Sequence, residues 1–134
     1  MNPGRGEPER LEMQLEAVPA SVRAARIAVA DYARKVGAPA SEVELAVAEA
    51  TANSVLHGFR ERTPGTVGVF AEVDSTGLVV TVADDGDGIR PNPNSHGLGL
   101  GLSLIGQMAT SFNVSRPPSG GTEITMTFPV GTPA

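Results

Sequence analysis

The stretch VADDGDGIRPNPNSHGLGLGLSLI, residues Val82 to Ile105, decides the reading of this chain. It sets a carboxylate turn and a glycine run on either side of one short loop. Glycine costs about 1 kcal/mol relative to alanine inside regular structure, so crowding Gly86, Gly88, Gly97, Gly99 and Gly101 here implies close approach of backbone to a ligand. A phosphate chain suits such a backbone, because free amides at the start of a following helix bind anions.

Working outward, Leu78 to Ala83 is a nearly continuous apolar run and reads as a strand. Before it, Val67, Val69, Ala71 and Val73 alternate with other residues, and Asp74 to Gly77 has turn chemistry, so the two strands form an antiparallel hairpin. On the other side the glycine run opens into a third helix, about Leu102 to Ala109. Phe112 and Val114 mark a short strand, Pro117 to Gly121 a turn, and Ile124, Met126 and Phe128 a final strand with one apolar face.

Toward the N-terminus, the spacing predicts a second helix that starts at a capping box of Ser41 and Glu44 and stops near Gly58. Glu49, Asn53 and His57 lie four apart and share one face of it. A first amphipathic helix runs from about Ala20 to Val36, ended by Gly37 and Pro39. Leu11, Met13, Leu15 and Ala17 alternate with polar residues as a first strand. The order strand, two helices, two strands, helix, two strands predicts an α+β two-layer sandwich, its mostly antiparallel sheet covered on one face by helices.

The 134 residues suit one domain, residues 11–130, with tails at 1–10 and 131–134. No cysteine is present, which removes thiolate zinc sites and disulfides and fits a reducing cytoplasm. A formal charge of −5, one tyrosine and no tryptophan disfavour direct nucleic-acid binding. The polar start and the lack of a long apolar run predict no membrane span and a cytoplasmic protein.

Standard phosphate motifs do not fit. Gly101 is followed by Leu102 and Ser103, so a P-loop lysine is missing, and the run G-x-G-x-G lacks Rossmann spacing. Asp84, Asp85 and Asp87 lack the spacing and distal glutamate of an EF-hand.

Four segments in fixed order instead resemble the GHKL ATPase superfamily and, within it, the anti-sigma-factor serine/threonine kinases. ELAVAEATANSVLHGF resembles the N box, VADDGDGI the D-x-G-x-G box, GLGLGLSLI the second glycine box, and GGTEITMTF, with Gly121 and Thr122, the closing box. The resemblance covers about Leu11 to Pro129 and implies a Bergerat-type ATP-binding fold. It implies that Asp84 accepts the exocyclic amine of adenine while Gly86, Gly88 and Ile89 lie against the base. It further implies that Asn53 holds Mg²⁺ and that Glu49 is the general base. Gly97, Gly99, Gly101 and Leu102 would wrap the phosphates, and Thr122 would add a hydroxyl. His57 suits a helix end, and His96 has no assigned role.

The implied activity is transfer of the γ-phosphoryl of ATP to a small anti-anti-sigma protein, alternating with binding of a sigma factor, in a protein that can form a homodimer. The alternative is a non-catalytic ATP-binding partner-switch module. One departure stands out: only IRPNPNSH separates Gly88 from Gly97, shorter than the family's usual lid over ATP, with Arg90 the one positive charge within it. Such a lid predicts faster nucleotide exchange or completion of the site by a partner.

Overall fold

A computed structural model describes residues 10–58, 65–85, 96–118 and 120–131, with the backbone alone for 56–58 and 96–101. The elements run β1 (Leu11–Glu16), α1 (Pro19–Val36), α2 (Ala40–Gly58), β2 (Thr66–Asp74), β3 (Gly77–Asp84), α3 (His96–Met108), β4 (Ser111–Ser115) and β5 (Thr122–Phe128). The five strands form one sheet in the order β1-β2-β3-β5-β4, every neighbouring pair antiparallel. The expected α+β sandwich is what the chain adopts.

Period-two alternation sorts the sheet into two faces. Met13 and Leu15 on β1, Val67, Val69 and Ala71 on β2, Leu78, Val80 and Val82 on β3, and Ile124, Met126 and Phe128 on β5 join the core with the helices. The run Leu78 to Ala83 is therefore not buried on both sides. Leu78, Val80 and Val82 are fully buried, while Val79, Thr81 and Ala83 are half-buried on the helix-free face.

Two helix starts differ from expectation. The Val43 amide donates to Pro39 O at 3.0 Å, so the first intrahelical bond of α2 places the cap at Pro39 and leaves Ser41 one residue inside the helix. Glu44 is not reaching back to a cap; it meets Arg26 of α1 at 3.3 Å. Proline's fixed φ leads the chain into the helix ahead of the serine. Helix α3 starts at His96, six residues before Leu102, so the glycine run is helical backbone. Packing of α3 on α2 and β4 outweighs the glycines' low propensity, as tertiary contact generally does.

The direction of each element follows from its end contacts. The Gly131 amide donates to Gly37 O at 2.8 Å, which ties the α1–α2 junction to the sheet end where β5 finishes and β3 begins. The Ala17 amide donates to Gly65 O at 2.9 Å, which ties the start of α1 to the opposite end, where β2 begins and β3 finishes. Helix α2 therefore runs from the Phe128 end toward the Asp84 end. Its 19 residues span about 28 Å and the 8 residues of β3 about 26 Å, so α2 covers the strand's whole length. Thr110 N–H donates to Thr127 O at 2.7 Å, so α3 finishes at the Phe128 end and begins at the Asp84 end.

Candidate functional site

Three polar groups stand where an apolar core would continue. Asp84 follows Leu78, Val80 and Val82 on the covered face of β3, and it is only 8% exposed. Thr122, 1% exposed, is its register partner on β5, with the side chain on the same face. Asn53, 5% exposed, lies in the last third of α2. All three are at the same end of the sandwich, between the sheet and the helices.

The azimuth of α2 fixes which way Asn53 faces. Glu44 turns toward α1, as its contact with Arg26 shows, and nine further residues at about 100° each place Asn53 on the opposite side. That side faces α3, which packs on α2. Glu49, one turn earlier on the same flank, is half-buried. The structure thus brings Asn53, Asp84 and Thr122 to one end, with the start of α3 beside them and Glu49 at the middle of α2, one turn before Asn53.

The backbone at Asp84 is held tightly. Gly121, at φ +82°, lies so close that an added Cβ would overlap the Asp84 carbonyl oxygen and reach Asp85 Cα at 3.1 Å. Thr66 N–H donates to Asp85 Oδ1 at 3.1 Å, tying the first residue of β2 to the end of β3. Such main-chain approach requires glycine at 121, because a side chain there would be both strained and overlapped.

Polar satisfaction sets α2 apart from an ordinary core helix. Asn53 Nδ2, Thr51 Oγ1 and Ser54 Oγ are buried and find no hydrogen-bond partner among the described residues. Most buried polar groups in proteins are paired. A half-turn of its side chain lets Asn53 present amide oxygen in place of nitrogen, which suits a hard cation. No cluster of three or more His, Asp or Glu side chains suited to a metal occurs among the described residues, so a cation at Asn53 would draw its other ligands from phosphate and water.

Gly86, Gly88, Ile89 and Arg90, with the short connection up to residue 95, lie outside the described residues. For His57, His96, Gly97, Gly99 and Gly101 the backbone alone is described, within α2 or α3; Leu102 is half-buried in α3. With α3 starting at His96, the amides of residues 96–98 precede the first intrahelical bond, so the free amides lie earlier than a loop that ends near 101 would place them. Sequence reasoning passed over Ser54 and Thr51. A serine after an asparagine in a helix gives no signal until its burial is known.

A separate groove of about 170 Å³ lies on the helix-free face, lined by Gln14, Gly68, Phe70 and Ala83 and bounded by Thr66, Asp84 and Asp85. It is across the sheet from Asn53.

Fold and sequence together define the class: a histidine kinase-like ATPase domain, whose family model matches residues 15–128. The chain belongs to that family. It is similar to the anti-sigma F factor of Clostridium novyi, 37% identical over 68 residues that make up 48% of each chain. It is also similar to the serine-protein kinase RsbW of Bacillus subtilis, 35% identical over 80 residues, 58% of this chain and 50% of that one. The chain spans about half the length of these curated relatives. Among solved structures, the RsbU and RsbW domains of a Mycobacterium tuberculosis protein share the fold at a TM-score of 0.70 and 20% identity, covering 92% of this chain and 33% of that one. The histidine kinase domain of a blue-light activated kinase from Erythrobacter litoralis aligns at a TM-score of 0.54 and 32% identity, covering 68% and 44%. No described helix is long and apolar enough to cross a membrane.

Proposed function

We propose that the chain is an ATP-dependent serine/threonine kinase that phosphorylates a small anti-anti-sigma protein and binds a sigma factor in the alternative partner state. The observation that carries this reading is the meeting of Asp84, Thr122 and Asn53 at one end of the sandwich, between α2 and the sheet. The names of the anti-sigma F factor and RsbW relatives support the partner classes.

Bound with Mg²⁺, ATP supplies the γ-phosphoryl group. Asp84, fixed by Gly121, accepts a hydrogen bond from the adenine amine, and a guanine carbonyl in that place would face a carboxylate without a donor. Gly86, Gly88 and Ile89 border the base. Asn53 holds the cation through its amide oxygen, and the free amides at the start of α3, that of Gly97 among them, face the phosphates, with Gly99, Gly101 and Leu102 in the turns that follow. Thr122 adds its hydroxyl. Glu49 takes the proton from the attacking serine or threonine hydroxyl, a task that suits a carboxylate one helical turn from the cation.

The test is incubation with MgATP and a candidate anti-anti-sigma domain, read as a phosphate mass increment on the acceptor. Glu49→Ala is expected to abolish the increment while ATP affinity stays within about twofold. Transfer at the wild-type rate removes Glu49 from the chemistry. Tight ATP binding by the wild type with no increment on the acceptor favours the non-catalytic partner-switch module.

A further inference from the structure

On the helix-free face, Gln14, Gly68, Ala83 and Glu123 stand side by side across β1, β2, β3 and β5, and Glu12, Phe70, Thr81 and Thr125 form the next row. The groove of about 170 Å³ follows the first of these rows. Gly68 and Ala83 are its small-residue floor. A Cβ at Gly68 would stand 3.0 Å from two Phe70 ring carbons and 3.2 Å from Gln14 Nε2, so the ring and the amide lie across the glycine as walls. Phe70 is half-buried although no helix covers it. At the strand end, Asp85 is exposed with one carboxylate oxygen held by the Thr66 amide at 3.1 Å. Glu16, the register partner of Thr66, and Glu123, the register partner of Ala83, flank the groove on the same face. No ion pair joins Glu16, Asp85 or Glu123 to a cation among the described residues. Arg10, two rows away, is already engaged by Glu12 at 2.8 Å and Glu72 at 3.9 Å.

We propose that this groove docks an arginine side chain presented by a protein partner. The methylene stem lies on Gly68 and Ala83 against the Phe70 ring, and the guanidinium pairs with the Asp85 carboxylate, whose oxygens accept more than the one Thr66 amide. Charge chooses this occupant: an apolar floor between Glu16, Asp85 and Glu123 suits a long side chain with a cationic head. A second copy of this face would bring the same carboxylates toward one another, and like charges across an interface disfavour the pairing. The groove is open along the sheet, which suits a side chain anchored in a wider protein surface; a free small molecule binds where most of its area is enclosed. The site lies across the sheet from Asn53 and stands independently of the kinase reading.

The experiment follows the backbone amides of the full chain by NMR during titration with acetyl-Gly-Arg-Gly-amide, its citrulline counterpart, and agmatine as a free guanidinium. The arginine peptide is expected to give saturable shifts at Thr66, Gly68 and Ala83, with the citrulline peptide at least about fivefold weaker because it lacks the charge. Asp85→Asn keeps an acceptor for the Thr66 amide, so it should fold normally and lose that preference for arginine. Phe70→Leu should weaken both peptides alike through the stem. Equal response to the arginine and citrulline peptides, no saturable response, or shifts confined to the helices overturns the proposal, as does an unchanged preference in Asp85→Asn. Agmatine bound as tightly as the arginine peptide overturns the protein source of the cation. Sedimentation of the same samples tests the remaining occupant: a dimer in which the groove amides ignore the peptide assigns the face to a second copy and overturns the proposal.

Discussion

Asp84 and Thr122 stand directly opposite each other across β3 and β5, both buried on the helix-covered face. This is where an apolar ladder, Leu78 with Phe128, Val80 with Met126 and Val82 with Ile124, gives way to polar chemistry. A carboxylate at the end of such a ladder does not add to the core. It points to what enters at that end.

Gly121 holds this pair in register. Gly121→Ala forces a Cβ into the Asp84 carbonyl and imposes φ +82° on a residue with a side chain. The expected result is a loss of about 1–3 kcal/mol in chemical unfolding, together with weaker ATP binding. Gly120→Ala is the comparison: it shares a positive φ, but its Cβ meets nothing within 4 Å, so its cost should be strain alone.

The start of α2 gives a second test. With Ser41 inside the helix and exposed, Ser41→Ala should change stability by less than about 0.5 kcal/mol, against about 1 kcal/mol for a lost cap. Urea titration decides between them.

Tyr32 carries a buried hydroxyl with no partner among the described residues, and burial, then the Glu72 carboxylate, raises its pKa. Tyr32→Phe should be neutral or stabilising by about 0.5–1 kcal/mol at neutral pH. The sign with pH is definite. The unfolded chain ionises first, so the wild type keeps its full stability below the ordinary tyrosine pKa and loses it as pH rises through the raised value. Tyr32→Phe should lack that alkaline loss in unfolding measured from neutral to high pH.

On the β2–β3 turn, Asp74 Oδ1 accepts from Thr76 Oγ1 at 2.5 Å and from the Thr76 amide at 2.7 Å. The Thr76 hydroxyl, then the amide, lowers the Asp74 pKa. Its contribution to stability is present above the ordinary aspartate pKa and fades as pH falls through the lowered value. Thr76→Val should move the Asp74 carboxyl upward in an NMR titration; an unmoved midpoint contradicts the hydroxyl's role.

The strands were legible because their faces differ: Met13, Val67 and Met126 alternate with polar or small neighbours, and burial follows that period. Helix starts were less so. Ser41 with Glu44 is a good local signal, but Pro39 sets the chain direction first and Arg26 engages the glutamate. The glycines before Leu102 argued for a loop, whereas helix packing over the sheet decided their backbone. Asp84, Asn53 and Thr122 were legible as residues from their motifs. That they share one site was implied by the resemblance alone, and the contacts that bring them together, Gly131 to Gly37 and Ala17 to Gly65, join distant positions that no local pattern marks. Ser54 carried no sequence signal at all, since serine is common on exposed helix faces.

The most direct measurement is calorimetric titration of wild type and Asp84→Asn with MgATP. The account predicts saturable binding to the wild type and at least about tenfold weaker binding to the variant, because a buried acceptor shaped for the adenine amine has been changed. Equal affinities for the two proteins would contradict it.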